Sequence, residues 1–290
     1  MIIITGANGQ LGRAVVEQLL RAVPAERIGA SVRDPEKAQE LKEMGVRVRR
    51  GDFSDADSLL HAFEGASKVF IVSTDNVGEL AVRQRGTAIA MAKQAGADRI
   101  VYTSHMGSSL TSHFPPMIAH AATENVLQAS GMAYTSLRNG FYANSAIMML
   151  GNALQTGVLA APIDGPVAWT SHPDLAQAAA VLLSNQSLEG ITLNLTAAEA
   201  IDLEKIAEIC SELTGRSIRR IVVPDDEYRA DLVARGVPEV RADMLLGLFR
   251  ASRAGEFSNA DPIMLDQLIG HPPLTFRDYL KAWIARQPQQ

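Results

Sequence analysis

The first half of the chain alternates short apolar runs with segments in which apolar residues recur every three or four positions. The apolar runs predict strands at residues 2–4, 28–32, 46–50, 69–72, 99–103 and 133–137. The periodic segments predict helices at residues 13–22, 35–44, 78–95 and 117–130. Ser54 or Asp55 caps one further predicted helix, which buries Leu59, Leu60 and Phe63. This order predicts an α/β fold, a Rossmann-like doubly wound parallel sheet.

The alternation ends after Arg138. The second half predicts helices at residues 145–155, 173–184 and 203–213, strands at 191–195 and 218–223, and a helix-rich tail. We therefore expect a first domain at residues 1–138 and a smaller α/β lobe at residues 139–290, with segments that pack back onto the first domain. The lobe is expected beside the carboxyl ends of the strands, where open α/β sheets bind their ligands.

Composition narrows the classes of function. The chain has 290 residues, 47% hydrophobic and 20% charged, and its net charge of −5 gives no electrostatic basis for nucleic-acid binding. The single cysteine, Cys210, falls in a helical pattern, so we expect a core residue, no internal disulfide and a cytoplasmic location. We also expect no signal peptide, because a strand begins at Ile2, no membrane span and no metal site.

The most informative stretch follows the first strand. Gly6, Gly9 and Gly12, with Asn8, Gln10 and Leu11 between them, join a strand to an amphipathic helix. Such glycines permit a tight turn and leave N–H groups free at a helix N-terminus, where the pyrophosphate of a dinucleotide binds. Glycine spacing alone also fits a purely structural turn, but the strand before it and the helix after it favour dinucleotide binding.

The end of the second strand predicts which dinucleotide is bound. An acid there would hold a ribose 2′-hydroxyl, whereas a cation accommodates a 2′-phosphate. Arg33 ends this strand and Lys37 follows one turn later, which favours NADP. Asp34 favours NAD unless it caps the next helix, and Arg33 could also be an ordinary surface charge. NADP is therefore the predicted cofactor, with NAD as the alternative.

Polar residues follow the other predicted strands. Asp52 could accept a hydrogen bond from the adenine amine while Phe53 packs on the ring, or Phe53 could only fill the seam between helix and sheet. Near the cofactor ribose and nicotinamide we expect the residues that end the next strands, although they could also be ordinary polar strand ends. These are Ser73, Thr74, Thr103, Ser104, His105, Met106, Asn139 and Gly140.

Phe141 and Tyr142 are expected to project towards the cleft. Phe141, His105 and Met106 are the candidate substrate contacts. Tyr142 could hydrogen-bond a ligand or simply pack with its hydroxyl in solvent.

Several of these segments resemble the NmrA-like branch of the atypical short-chain dehydrogenases/reductases, especially its quinone and triphenylmethane-dye reductases. The resemblance lies at residues 5–12, 32–38, 51–53, 101–104, 120–124, 137–142 and 268–272. It implies that NADPH binds along the glycine loop, Arg33, Ser73, Thr74, Asn139 and Gly140. It also implies hydride transfer to a flat, conjugated small molecule.

One departure from the wider superfamily affects the chemistry. Members with a Tyr-x-x-x-Lys pair use the tyrosine to protonate a carbonyl, but this chain has His120 and Glu124 at the equivalent place. A carboxylate there would favour protonated His120, which could donate a proton to the reduced acceptor or could have a structural role. Glu124 is expected to anchor backbone N–H groups near the cofactor. His120 and Ser104 are the candidate catalytic residues.

Three functions compete. An NADPH-dependent reductase of quinones or similar conjugated acceptors leads, because an electron-poor acceptor needs little acid catalysis. The rival is a redox sensor that binds NAD(P) without turnover and signals to a partner protein. A sugar-nucleotide epimerase is disfavoured by the missing tyrosine. The sequence leaves the oligomeric state open, a homodimer included.

Overall fold

The computed structural model describes residues 1–184 and 188–286, and its centre is a parallel sheet of seven strands. The sheet order is β10-β6-β5-β4-β1-β2-β3, with crossover helices between successive strands. This is the predicted Rossmann-like fold. The six strands expected in the first half are all present in it.

The strands are β1 (Ile2–Thr5), β2 (Ile28–Val32), β3 (Arg47–Arg50), β4 (Lys68–Ile71), β5 (Arg99–His105), β6 (Ala133–Asn139), β7 (Phe141–Tyr142), β8 (Val158–Ala161), β9 (Trp169–Thr170), β10 (Gly190–Ile191) and β11 (Arg219–Val222). The first-half helices are α1 (Gln10–Leu19), α2 (Gln39–Glu43), α3 (Ala56–Phe63), α4 (Gly78–Gln94) and α5 (Pro115–Ala129). The second-half helices are α6 (Ala143–Leu150), α7 (Ala153–Thr156), α8 (His172–Ser184), α9 (Leu203–Thr214), α10 (Asp225–Ala234), α11 (Glu239–Arg253), α12 (Ile263–Ile269) and α13 (Phe276–Ala285).

Three predicted elements differ from the structure. Residues 35–38 form a 3₁₀ turn before the short α2, with Asp34 as its cap, so the single helix predicted at 35–44 is wrong. The helix predicted at 145–155 is divided at Gly151, whose φ of 50° interrupts α-helical geometry. The strand predicted at 191–195 is limited to Gly190–Ile191, although Leu195 makes an isolated bridge to Asn139.

Two apolar cores cover the sheet, and a third fills the second half. Helix α8 packs against α1 and Leu175 and Leu182 join the core beneath β1 and β2. The third core contains Cys210 in α9, as expected, and burial raises the pKa of its thiol to about 11. The second half thus supplies both α8 and the edge strand β10 to the Rossmann layers. The division at residue 138 stays a prediction.

Throughout the two described ranges, no helix combines the length and apolar character needed to span a membrane.

Candidate functional site

The glycine loop forms a tight cradle between β1 and α1. Gly6 has a φ of 61°, and the N–H of Gly9 donates to its carbonyl at 2.9 Å. A Cβ on Gly12 would lie 2.8 Å from the carbonyl carbon of Gly6, so only glycine fits there. Within the described chain, no side chain caps α1 at Gly9. The first N–H groups of α1, those of Gln10 and Leu11 included, therefore remain available for an anion.

Arg33 lies exposed beside this cradle. Across residues 1–184 and 188–286 its guanidinium has no hydrogen bond or ion pair, whereas Asp34 caps the following turn and pairs with Lys37 at 3.5 Å. The Asn8 amide donates to the carbonyl of Asp34 at 3.3 Å and ties the two loops together. A cleft of about 580 Å³ lies here, lined by Asn8, Arg13, Glu17, Glu36, Lys37, Gln39 and Glu40. Because the Asp34 carboxylate caps the following turn, Asp34 no longer favours NAD over NADP.

Asp52 and Phe53 follow β3 at the next strand end. The Asp52 carboxylate accepts from the N–H of Ser54 at 2.9 Å, and Phe53 is half-buried against the core on that face. Both the expected adenine contact and the simple packing role for Phe53 remain compatible with this geometry.

Ser73, Thr74 and Thr103 meet where β4 and β5 end. The Thr103 hydroxyl accepts from the N–H of Ser73 at 2.8 Å, and the side chain is completely buried. The Thr74 hydroxyl oxygen is buried without a hydrogen-bond partner in the described residues. Thr103 therefore positions Ser73, and its predicted direct contact with a cofactor is not supported. The expectation that Ser73 and Thr74 lie near the cofactor stays a prediction.

Glu124 is buried at the centre of a polar cluster near the carboxyl ends of β5 and β6. Its carboxylate accepts from Arg138 at 2.8 and 3.1 Å, from Ser104 at 2.7 Å and from Ser136 at 3.1 Å. The expectation that Glu124 anchors backbone N–H groups is wrong, because its partners are side chains. Ser104 is 1% exposed and its proton is committed to Glu124, so its predicted catalytic role is not supported.

His120 belongs to a different network. Its Nδ1 lies 2.8 Å from the Tyr102 hydroxyl, which accepts from Arg85 at 3.3 Å. Burial lowers the pKa of His120 well below its usual value, and the positive charge of Arg85 adds to this. The expectation that Glu124 favours protonated His120 is wrong, because Glu124 binds Arg138 and the nearby charge is a cation. His120 is neutral at pH 7 and is a poor proton donor.

The predicted substrate contacts His105, Met106 and Phe141 are brought together, but they are packed. Each is less than a tenth exposed. The Phe141 ring lies 4.8 Å from His105 and 5.1 Å from Phe257, both edge-to-face, between centroids. Phe141 thus points into the second-half core and does not project towards the cleft as expected. Burial lowers the pKa of His105 to about 3.

Asn139 ends β6, and Gly140 and Tyr142 come directly after it. The Asn139 side-chain oxygen is buried with no hydrogen-bond partner in the described chain. The N–H of Gly140 donates to Leu195 at 2.8 Å, and a Cβ here would lie 2.9 Å from that of Thr170. Gly140 therefore permits close packing of β9, and its predicted place near the cofactor ribose stays a prediction. The Tyr142 ring packs against that of His172, with 4.4 Å between ring centroids and a tilt of 38° between the ring planes.

Sequence reasoning missed Arg85, Tyr102 and Arg138. Arg85 lies on the apolar face of α4, at helical spacing from Ala81, Ala88 and Ala92, and is 1% exposed. A cation on an apolar helical face is a readable signal, because it must find buried partners. Arg138 and Glu124 pair across 14 residues on a strand and a helix, and no local pattern predicts that.

Comparison with known proteins identifies the family of the chain. The sequence profile of the NmrA-like family matches residues 1–279. The chain belongs to the NmrA-like family. Quinone oxidoreductase 2 of Escherichia coli is 37% identical over 280 residues, and the match covers 96% of each chain.

Two solved structures are also similar to the chain. The Escherichia coli NADPH-dependent quinone oxidoreductase QOR2, complexed with NADPH, has a TM-score of 0.91 and 34% identity, covering 98% of this chain and 100% of that one. The Citrobacter sp. triphenylmethane reductase, complexed with NADP(H), has a TM-score of 0.89 and 32% identity, covering 97% and 99%. The family and the fold expected from the sequence are both confirmed.

The residues of this NmrA-like chain fit a phosphorylated dinucleotide. The uncapped N-terminus of α1 suits a pyrophosphate, and the unpaired Arg33 suits a further phosphate. Thr74 and Asn139 hold buried oxygens without partners at the ends of β4 and β6, which flank β5.

Proposed function

We propose that the protein is an NADPH-dependent reductase that transfers hydride to a quinone or a similar flat, conjugated acceptor. The carrying observation is the unpaired Arg33 beside the uncapped N-terminus of α1, a combination suited to a 2′-phosphorylated dinucleotide. The similar QOR2 and triphenylmethane reductase are complexed with NADPH or NADP(H), which supports the same cofactor here.

The cofactor residues act by binding and orientation. The N–H groups that open α1 hold the pyrophosphate, Arg33 and Lys37 hold the 2′-phosphate, and Ser73, Thr74 and Asn139 face the nicotinamide half. When bound, NADPH supplies the hydride. Thr103 holds Ser73, while Glu124 holds Ser104, Ser136 and Arg138 and so fixes the ends of β5 and β6. Hydride transfer between two flat rings that the protein holds in contact needs little further catalysis.

The protonation states are consistent with an acceptor that needs no strong acid. His120 and His105 both have lowered pKa values because they are buried, so neither is protonated at pH 7. Tyr102 is also unsuited to acid catalysis, because burial raises its pKa to about 12. An electron-poor quinone can accept hydride first and take its proton from water.

The alternatives have less support. The similar proteins described above are reductases by name, so the comparisons do not favour the redox-sensing alternative. The epimerase alternative stays disfavoured because His120 occupies the place of the acid/base tyrosine.

A cytoplasmic enzyme is the setting we propose, since a single buried cysteine suits a reducing compartment. Formation of a homodimer and the lack of nucleic-acid binding stay predictions.

The test is acceptor-dependent oxidation of NADPH. The protein is mixed with NADPH and a panel of benzoquinones, naphthoquinones and triphenylmethane dyes, and the nicotinamide absorbance is followed. We expect oxidation that depends on both protein and acceptor. A folded protein that consumes none of the acceptors would refute the proposed function.

A further inference from the structure

Arg85 is the largest side chain that the described structure buries completely. Its guanidinium donates to the Tyr102 hydroxyl at 3.3 Å and to the carbonyl of Thr74 at 3.1 Å. Its Nε is buried without a partner, and no carboxylate pairs with it in residues 1–184 or 188–286. Burying a cation without a counter-charge is costly, so a purely structural role would be an expensive one.

The first hydrogen bond of this chain has a fixed direction, because a guanidinium can only donate and the Tyr102 oxygen must accept from Arg85. Nδ1 of His120 lies 2.8 Å from the same oxygen, so it can accept the single proton of the phenol. In that arrangement the neutral imidazole carries its proton on Nε2, and Arg85 and Tyr102 together favour this tautomer of His120.

The Nε2 edge of the His120 ring faces away from Tyr102, and the ring lies close to His105. Nε2 has no hydrogen-bond partner in the described residues. It is also not one of the polar side-chain atoms that are completely buried without a partner, so it keeps some exposure. The His120 ring centroid is 6.1 Å from that of His105, which in turn contacts Phe141. Arg85 also holds Thr74, one of the predicted cofactor residues. The network therefore connects His120 to the predicted cofactor residue Thr74 through Tyr102 and Arg85.

We propose that Arg85 and Tyr102 are positioning residues that hold His120 as its Nε2–H tautomer, and that Nε2–H donates a hydrogen bond to the acceptor oxygen as it gains negative charge. This rests on the proposed function. NADPH, when bound, would supply the hydride: hydrogen would pass with its electron pair from the nicotinamide C–H bond to the acceptor, so that NADPH would be oxidised as the quinone is reduced. The anionic oxygen then takes its proton from water, so His120 keeps its own.

The charge of Arg85 gives this arrangement its strength. A cation at the start of the chain polarises the phenol, and the polarised phenol makes Nε2–H a better donor. A preorganised donor aimed at developing charge lowers the barrier without itself giving up a proton.

The tautomer is tested first, on the full-length protein without any acceptor. Long-range ¹H–¹⁵N spectra of histidine-labelled protein at pH 7 report the protonated nitrogen, and His120→Ala assigns the signals. We expect the Nε2–H form in the wild type and a mixture of tautomers in Tyr102→Phe. The matched control is Tyr134→Phe, because Tyr134 packs on the same core from the neighbouring strand. A wild-type His120 that is protonated or carries Nδ1–H would overturn the proposal.

The kinetic arm tests the hydrogen bond to the acceptor. We expect His120→Ala to lower kcat by roughly 10- to 100-fold, less than a full oxyanion-hole donor because the acceptor is already electron-poor. Tyr102→Phe should lower kcat by about 10-fold, with the KM for NADPH unchanged, since it loosens the donor without removing it. Tyr134→Phe should keep the wild-type kcat.

The pH profile separates this role from proton donation. A neutral hydrogen-bond donor gives a kcat that is flat across neutral pH, whereas a general acid gives a kcat that falls as pH rises through its pKa. A falling profile that His120→Ala abolishes would overturn the proposal, as would full activity of His120→Ala. If the wild type consumes no acceptor, the hydrogen-bond half fails with the proposed function, and the spectra alone decide the tautomer half.

Discussion

The carboxyl edge of the sheet has two sides that are built differently. The cradle side, formed by the loops after β1 and β2, is open: α1 is uncapped and Arg33 is exposed and unpaired in the described chain. The sealed side, formed by the ends of β5 and β6, is closed: Ser104, Glu124 and Asn139 are each less than a tenth exposed. Backbone groups carry the chemistry of the first side, and a buried network of side chains carries that of the second.

This difference teaches why the two sides respond differently to substitution. On the cradle side a change should alter ligand affinity and leave the fold nearly intact. On the sealed side a change should alter stability first, because its groups are each other's partners.

Glu124→Ala should destabilise the fold most. It leaves Arg138 without its carboxylate and the buried hydroxyls of Ser104 and Ser136 without an acceptor, at a cost of about 3 kcal/mol. Urea unfolding measures this. The control is Glu208→Ala, which breaks a surface pair with Lys205 and should cost less than about 0.5 kcal/mol. Equal losses for the two variants would contradict the account of the sealed side.

Gly12→Ala should chiefly affect the cradle. The new Cβ would meet the backbone of Gly6 and shift the loop, lowering NADPH affinity by about 100-fold, or about 2.7 kcal/mol. Titration of intrinsic or nicotinamide fluorescence measures the affinity. Gly86→Ala in α4 is the control, because its Cβ meets only Val126 at 3.8 Å and should stabilise the helix slightly without changing affinity. Unchanged affinity in Gly12→Ala would show that the cradle does not bind the cofactor.

Acid should destabilise the fold through two histidines, His105 at the end of β5 and His172 at the start of α8. Burial lowers the pKa of His105 to about 3 and that of His172 to about 4, below the unfolded value of about 6.5. Between these values the unfolded chain binds protons that the folded chain does not, so stability falls as pH falls from about 6.5 to 4. Each histidine contributes up to about 1.4 kcal/mol per pH unit.

His172→Gln tests this slope. We expect urea unfolding at a series of pH values to show a slope that is smaller by about 1 kcal/mol per pH unit. His271 is exposed, so His271→Gln should leave the slope unchanged. A slope that neither variant changes would assign the acid sensitivity to other groups.

Arg33→Ala should have the smallest effect and the most selective one. Losing a phosphate contact should weaken NADPH binding by about 10-fold, while NADH binding stays the same. Arg21→Ala, at the far end of the same loop and helix unit, is the charge-matched control. Equal weakening of NADPH and NADH would exclude a 2′-phosphate contact at Arg33.

The same comparison explains what sequence could and could not predict. The strands, the glycine cradle and Arg33 follow from local spacing, because a turn and the helix after it are set by residues close in the chain. The sealed side depends on partners far apart in sequence: Glu124 with Arg138, Tyr102 with His120 and Arg85, and Phe141 with Phe257. The protonation of His120 was therefore predicted with the wrong sign, since its real neighbour is a cation on another helix.

Local irregularities were missed for a related reason. The helix break at Gly151 and the 3₁₀ turn at Pro35–Ala38 do not interrupt the spacing of the apolar residues, so the hydrophobic pattern does not reveal them. His105 and Phe141 are packed because the C-terminal part of the chain places Phe257 against both of their rings. No pattern near residue 105 or 141 indicates that.

The most direct test of the central claim is calorimetric titration of the folded wild-type protein with NADPH and with NADH. The account predicts one NADPH site per chain, bound more tightly than NADH because Arg33 meets the additional phosphate. Heat from neither nucleotide, on protein that unfolds cooperatively, would contradict it.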